Sequence, residues 1–149
     1  MRGYPAGSIL ALQVETPLSE HGVLAFGVGA NLTDRQDWGE HDQEDGDGFG
    51  GGVGYRYYFG EDLDRWFLGG RLELWSLAID WRDSPATTGS TDVLVLMPTV
   101  EAGYTFRLAQ RWRLNLFAAG GAEINVSTDG EDVGEGAIGL LGFSCLYGF

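Results

Sequence analysis

Lysine is absent from the chain. All nine basic residues are arginine, set against 22 acids for a formal net charge of −13. A surface that tracks phosphates needs clustered cations, so nucleic acid is not an expected partner. Cysteine is nearly absent: the single thiol, Cys145, excludes an internal disulfide and a multi-cysteine metal site. It reads as a small residue on an apolar face. The two histidines, His21 and His41, fall in different breaks at opposite ends, and no Ser/His/Asp set converges. No catalytic residue and no cofactor are expected, and the chain reads as non-enzymatic. Long hydrophobic runs are also missing. No stretch reaches the roughly 20 apolar residues of a spanning helix, and the run Ile9 to Leu12 is too short for a signal-peptide core. On that ground the chain is either cytosolic or a mature form or fragment whose export signal is not in the sequence.

Glycine, in contrast, is abundant, with 25 residues spread through apolar segments. Gly48-Phe49-Gly50-Gly51-Gly52-Val53-Gly54 is no nucleotide loop, because it sits within a strand pattern and no helix follows. Period-2 alternation recurs throughout, and a helical period does not. A single domain over residues 1–149 is expected, an all-β antiparallel up-and-down meander barrel. Seven strands are visible: Ser8 to Thr16, Gly22 to Leu32, Gly48 to Phe59, Trp66 to Trp81, Asp92 to Phe106, Trp112 to Val126 and Gly136 to Phe149. Short connections (Pro17 to His21, Gly60 to Arg65, Arg107 to Arg111) alternate with long polar ones (Thr33 to Asp47, Arg82 to Thr91, Ser127 to Glu135). That is the pattern of a membrane barrel, whose tilted strands need about 9–11 residues to cross. Such barrels have even strand counts. An eighth strand is therefore expected upstream, or a neighbouring subunit completes the open edge; a closed seven-stranded sheet is the third option.

In each strand one parity is bulky and the other is small or charged. An apolar-parity change after Leu74 reads as a β-bulge near Leu74-Trp75. The small parity carries few charges, of both signs: Glu15, Arg56, Arg71, Glu73, Glu101, Arg113 and Glu123. They are expected to form an ion-pair network in a narrow lumen, either a structural plug or a gate. On the bulky parity an aromatic girdle gathers at the short-turn end: Tyr57, Phe59, Trp66, Tyr104, Phe106, Trp112, Tyr147 and Phe149. Trp75 and Trp81 are candidates for a second girdle at the opposite interface. The long segment from Asp34 to Asp47 holds seven carboxylates and reads as a solvated acidic loop. Asp42, Glu44, Asp45 and Asp47 within it are a weak candidate for Ca²⁺, without the EF-hand spacing.

The alternating segments, the turn-side aromatics and the Tyr147-Gly148-Phe149 ending resemble the small eight-stranded outer-membrane proteins of the OmpA and OmpW kind. The ending looks like the aromatic-any-aromatic signal read by the barrel assembly machinery, although Ser144 stands where that family usually has glycine. The resemblance implies a bacterial outer-membrane or cell-surface location, lipid or detergent against the apolar exterior, and a structural or small-solute role. Two other readings remain open at this level. One is a subunit that self-assembles into a tube or filament through its open edge. The other is a soluble, lipocalin-like ligand-binding barrel.

Overall fold

The computed structural model describes residues 1–36 and 39–148. It contains β1 (Arg2–Tyr4), β2 (Gly7–Pro17), β3 (Gly22–Gln36), β4 (Gln43–Tyr58), β5 (Arg65–Asp83), β6 (Thr87–Arg107), β7 (Trp112–Asp129) and β8 (Gly136–Tyr147). Each strand pairs antiparallel with the next, and β1 also pairs with β8, so the sheet closes into a ring. The expected count of eight is met, and the eighth strand is β1, which lies within these residues and not on a neighbouring subunit. β1 escapes sequence reading because it is three residues long and is followed at once by Pro5. Alternation needs a longer run to register. The structure pins β1 from both sides instead: Arg2 lies opposite Ile9 on β2 and opposite Gly142 on β8.

The polar connections at one end are also shorter than expected. Thr33 to Gln36 and Gln43 to Asp47 continue β3 and β4, with Thr33 opposite Gly46 and Arg35 opposite Glu44. Likewise Arg82 pairs with Thr88, leaving only residues 84–86 to turn between β5 and β6. These segments are hairpin tips built on unbroken alternation, and their acids sit on strands.

No bulge occurs at Leu74-Trp75. The pairing of β5 with both neighbours runs in register through that point, and the register shift lies at Leu94/Val95, between β6 and β7. What changes along β5 is the chemistry of its inward face. Arg71 and Glu73 give way to Trp75, Leu77, Ile79 and Trp81 on the same parity, all four apolar residues buried. Trp75 and Trp81 are therefore inside the ring, which removes them from the second girdle. The inward face of β4 accommodates them. A Cβ on Gly50 would stand 2.5 Å from the Trp75 ring, and one on Gly52 would stand 2.7 Å from Glu73 Cγ. Glycine is needed there because two backbone walls and a large side chain share one layer.

The interior is consequently stacked in layers. Val23, Tyr58, Phe67 and Phe117 pack at the short-turn end. The charged layer follows. Above it a larger apolar cluster joins Ile9, Trp75, Leu77, Ile79, Met97 and Leu140 among others.

Candidate functional site

The charged layer is a chain of alternating sign drawn from five strands. Glu15 of β2 accepts from Arg56 Nη1 of β4 at 2.9 Å, and Arg56 Nε donates to Glu101 of β6 at 2.6 Å. Arg71 Nε of β5 donates to the other oxygen of Glu101 at 3.0 Å, and Arg71 Nη1 lies 4.0 Å from Glu73 Oε1. Arg2 of β1 completes the chain by gripping Glu73 with both terminal nitrogens, Nη2 at 2.8 Å from Oε1. Three guanidiniums thus face three carboxylates, and the formal charges cancel. Gln13 joins by accepting from Arg71 Nη2 at 2.7 Å. The Arg56 guanidinium also lies over the rings of Phe67, at 4.8 Å, and Phe117, at 5.5 Å. Arginine suits this place because its fork binds two carboxylates at once and its flat face packs on aromatics.

Five of the seven residues expected in the lumen network are brought together here: Glu15, Arg56, Arg71, Glu73 and Glu101. Glu123 is elsewhere. It meets Arg35 Nη2 at 2.8 Å near the opposite mouth, where Arg35 Nη1 also donates to Glu44 at 3.0 Å and to the Gly134 carbonyl at 2.7 Å. Arg113 forms no ion pair among the described residues and borders the short-turn mouth with His21 and Arg107. Sequence reading missed Arg2, because its strand was not visible, and Arg35 and Glu44, because their segment read as loop. A usable signal existed: Asn31, Thr33 and Arg35 continue the inward parity of β3, and all three are buried.

The acidic segment divides by the same alternation. Glu44 points inward and is fully buried, so it is not a solvated loop acid. Its Oε1 accepts from the backbone N–H groups of Glu40, His41 and Gly134. Asp42, Asp45 and Asp47 are exposed. Strand alternation thus separates Glu44 from Asp45 and Asp47, Asp42 lies ahead of β4, and no metal-holding cluster forms among the described residues. Asp37 of this segment lies outside the described residues.

His41, in the β3–β4 connection, clasps the β5–β6 and β7–β8 tips to it. Its ring stacks on Trp81 at 4.1 Å and 7°, Nδ1 lies 2.9 Å from Asp83 Oδ2, and Nε2 lies 3.1 Å from the Asp132 carbonyl. A carbonyl and an ionised carboxylate can only accept, so both ring nitrogens donate and the arrangement fits the imidazolium. Burial disfavours that charge, but the hydrogen bond and charge of Asp83, with the Asp132 carbonyl and Glu44, hold the His41 pKa above its ordinary value. Asp83 is held below the usual carboxylate range, chiefly by the same hydrogen bond.

The exterior shows the reverse chemistry. Leu12, Val28, Phe49, Leu72, Val100 and Leu141 are all exposed, on six different strands, and the charged layer lies behind them. At the short-turn end the aromatics named for the girdle form pairs: Tyr57 with Phe59, Trp66 with Tyr104, Tyr104 with Phe106, and Trp112 with Tyr147. Phe149 lies outside the described residues. Comparison with family models, with curated proteins and with solved structures returns no match, which leaves this geometry as the basis for a functional reading.

Proposed function

We propose that the chain is a non-enzymatic β-barrel of the outer-membrane type. Its apolar wall lies in lipid, its short turns are periplasmic and its acidic hairpin tips face outward. One observation carries the reading: leucine, valine and phenylalanine cover the outside while Arg56, Glu101 and Glu73 are at most 4% exposed inside. A water-soluble barrel is built the other way round, with polar residues outside. In hydrocarbon the backbone must be satisfied by a closed sheet, and lumen charges must be paired. The aromatic pairs at the short-turn end support placing an interface there.

The layered interior favours a plug over a transport path. An eight-stranded lumen is just wide enough to be filled by side chains, and here two apolar clusters enclose the ion-pair chain. The role that follows is a membrane-anchored structural barrel displaying acidic tips, delivered by the assembly machinery through β8. A lipocalin-like carrier needs a hollow lumen, and the same layers count against it.

The test is solubility and partition. Refolded protein should stay monodisperse only in detergent micelles or lipid vesicles and should withstand alkaline extraction from vesicles. A monodisperse, folded monomer in detergent-free buffer would sink the reading.

A further inference from the structure

Glu123 is 7% exposed, and only one of its carboxylate oxygens is engaged. Oε2 accepts from Arg35 at 2.8 Å, while Oε1 has no hydrogen-bond partner among the described residues. No other buried carboxylate oxygen of the described residues is left in that state. A buried, charged acceptor without a donor is costly, so a donor belongs beside it. Charge points the same way. Arg35 faces two carboxylates, Glu44 at 3.0 Å and Glu123 at 2.8 Å, which leaves one negative charge over. Glu44 is satisfied further by the backbone N–H groups of Glu40, His41 and Gly134, so the surplus falls on Glu123.

Glu123 lines a cavity of about 100 Å³ near the hairpin-tip mouth. The cavity lies where β1 and β8 part. Their pairing stops at Gly3 with Leu141, and the turn after β1 then faces the start of β8 across the gap. Glu135 and Tyr4 border it as well. Glu135 Oε2 accepts from Asn125 N–H at 2.8 Å, and its other oxygen remains available. The Tyr4 hydroxyl donates to Asn31 Oδ1 at 2.8 Å and keeps acceptor capacity. Pro5, Ala6 and Ile138 give the same cavity an apolar side.

We infer that this cavity binds a small primary ammonium group, R–NH3⁺, between Glu123, Glu135 and Tyr4. An ammonium has three N–H donors and no acceptor, which matches the three acceptors of the lining and the surplus charge. An anion is repelled by the same carboxylates. A metal ion fits worse, because no group of three His, Cys, Asp or Glu could hold one among the described residues, and Arg35 already occupies Glu123 Oε2. The cavity is smaller than the roughly 150 Å³ that accepts a benzene ring, so the enclosed part of R is a short alkyl segment against the apolar side. The chain contains no lysine, so no side chain of its own can supply the group.

The test is an amide NMR titration of the full chain in micelles with ethylammonium chloride, read at Gly134, Gly136 and Gly139. Saturable shifts at these glycines are expected. The ceiling on binding energy per non-hydrogen atom sets Kd at about 1 mM or weaker for a ligand of three heavy atoms. Tetramethylammonium, a cation with no N–H, should give no such shifts. Glu123→Gln should abolish them, and Glu135→Gln, at an exposed residue, should weaken binding about tenfold through loss of a charged acceptor. The second variant carries the test should the first not fold. Vesicles of phosphatidylethanolamine against phosphatidylcholine, without free amine, separate a lipid headgroup from a soluble amine as the source. No saturable shift with ethylammonium, equal shifts with tetramethylammonium, or unchanged affinity in Glu135→Gln would overturn the inference and leave the cavity to water. The cavity belongs to the ring itself, so the same titration serves in detergent-free buffer and its outcome is separable from the membrane assignment.

Discussion

Arg56 concentrates the stability of the charged layer in one side chain. It bridges Glu15 and Glu101 and is 1% exposed. Arg56→Met removes the cation, strands Glu15 without its ion pair and leaves buried Glu101 with Arg71 alone. Breaking a buried pair this way typically costs about 3–5 kcal/mol, to be read from urea unfolding in micelles. Arg56→Lys should fall between the two, since an ammonium keeps the charge but not the fork. An Arg56→Met variant as stable as the parent would mean that the layer is not a structural plug. His41 predicts a different dependence. Its folded pKa is raised, so its contribution is complete below its ordinary value near 6.5 and is lost as pH rises through the raised value. Asp83, with a lowered pKa, loses its contribution only as pH falls through that lowered value. The clasp is therefore tightest in mildly acidic buffer. Amide protection at residues 39–42 and 131–134, with the intrinsic base-catalysed rate divided out, should fall on going to alkaline pH, and a His41→Gln variant should remove most of that step. Protection that is flat with pH in the parent would refute the clasp.

At the scale of the strand, β4 and β5 work as a matched pair, small opposite large. Gly50→Val should drive a side chain into the Trp75 ring and cost about 1–3 kcal/mol, as overpacking does. An outward Phe49→Val change, one residue away on the exposed face, should cost much less in micelles. Equal losses at the two positions would show that the inner packing is loose. The same strands mark what the sequence made legible. Alternation exposed β2 to β8, because one face differs in size or polarity from the other at nearly every step. It failed for β1, which offers too few residues to show a period. It misled at Trp75, because an apolar residue inside a barrel and one outside it look identical when only parity changes are read. The charged layer was legible as a set of residues but not as a partnering, since Glu123 and Glu15 share a parity yet sit at different heights.

The molecule as a whole separates four of its tryptophans by layer. Trp66 and Trp112 are exposed at the short-turn end, whereas Trp75 and Trp81 are buried inside the ring. In vesicles of brominated lipid, fluorescence from a variant keeping only Trp66 or only Trp112 should be strongly quenched. A variant keeping only Trp75 should be little affected, and equal quenching of all three would contradict the assigned inside and outside. The Arg2–Glu73 grip has a kinetic consequence as well. It joins residues 71 apart in the chain, and Arg2 belongs to the strand that shuts the ring. Contacts so distant in sequence repay their loop-closure entropy only late. Folding should therefore pass through a stage in which β2 to β8 are zipped while Glu73 still awaits its cation. The last event on the pathway would then be the docking of three residues.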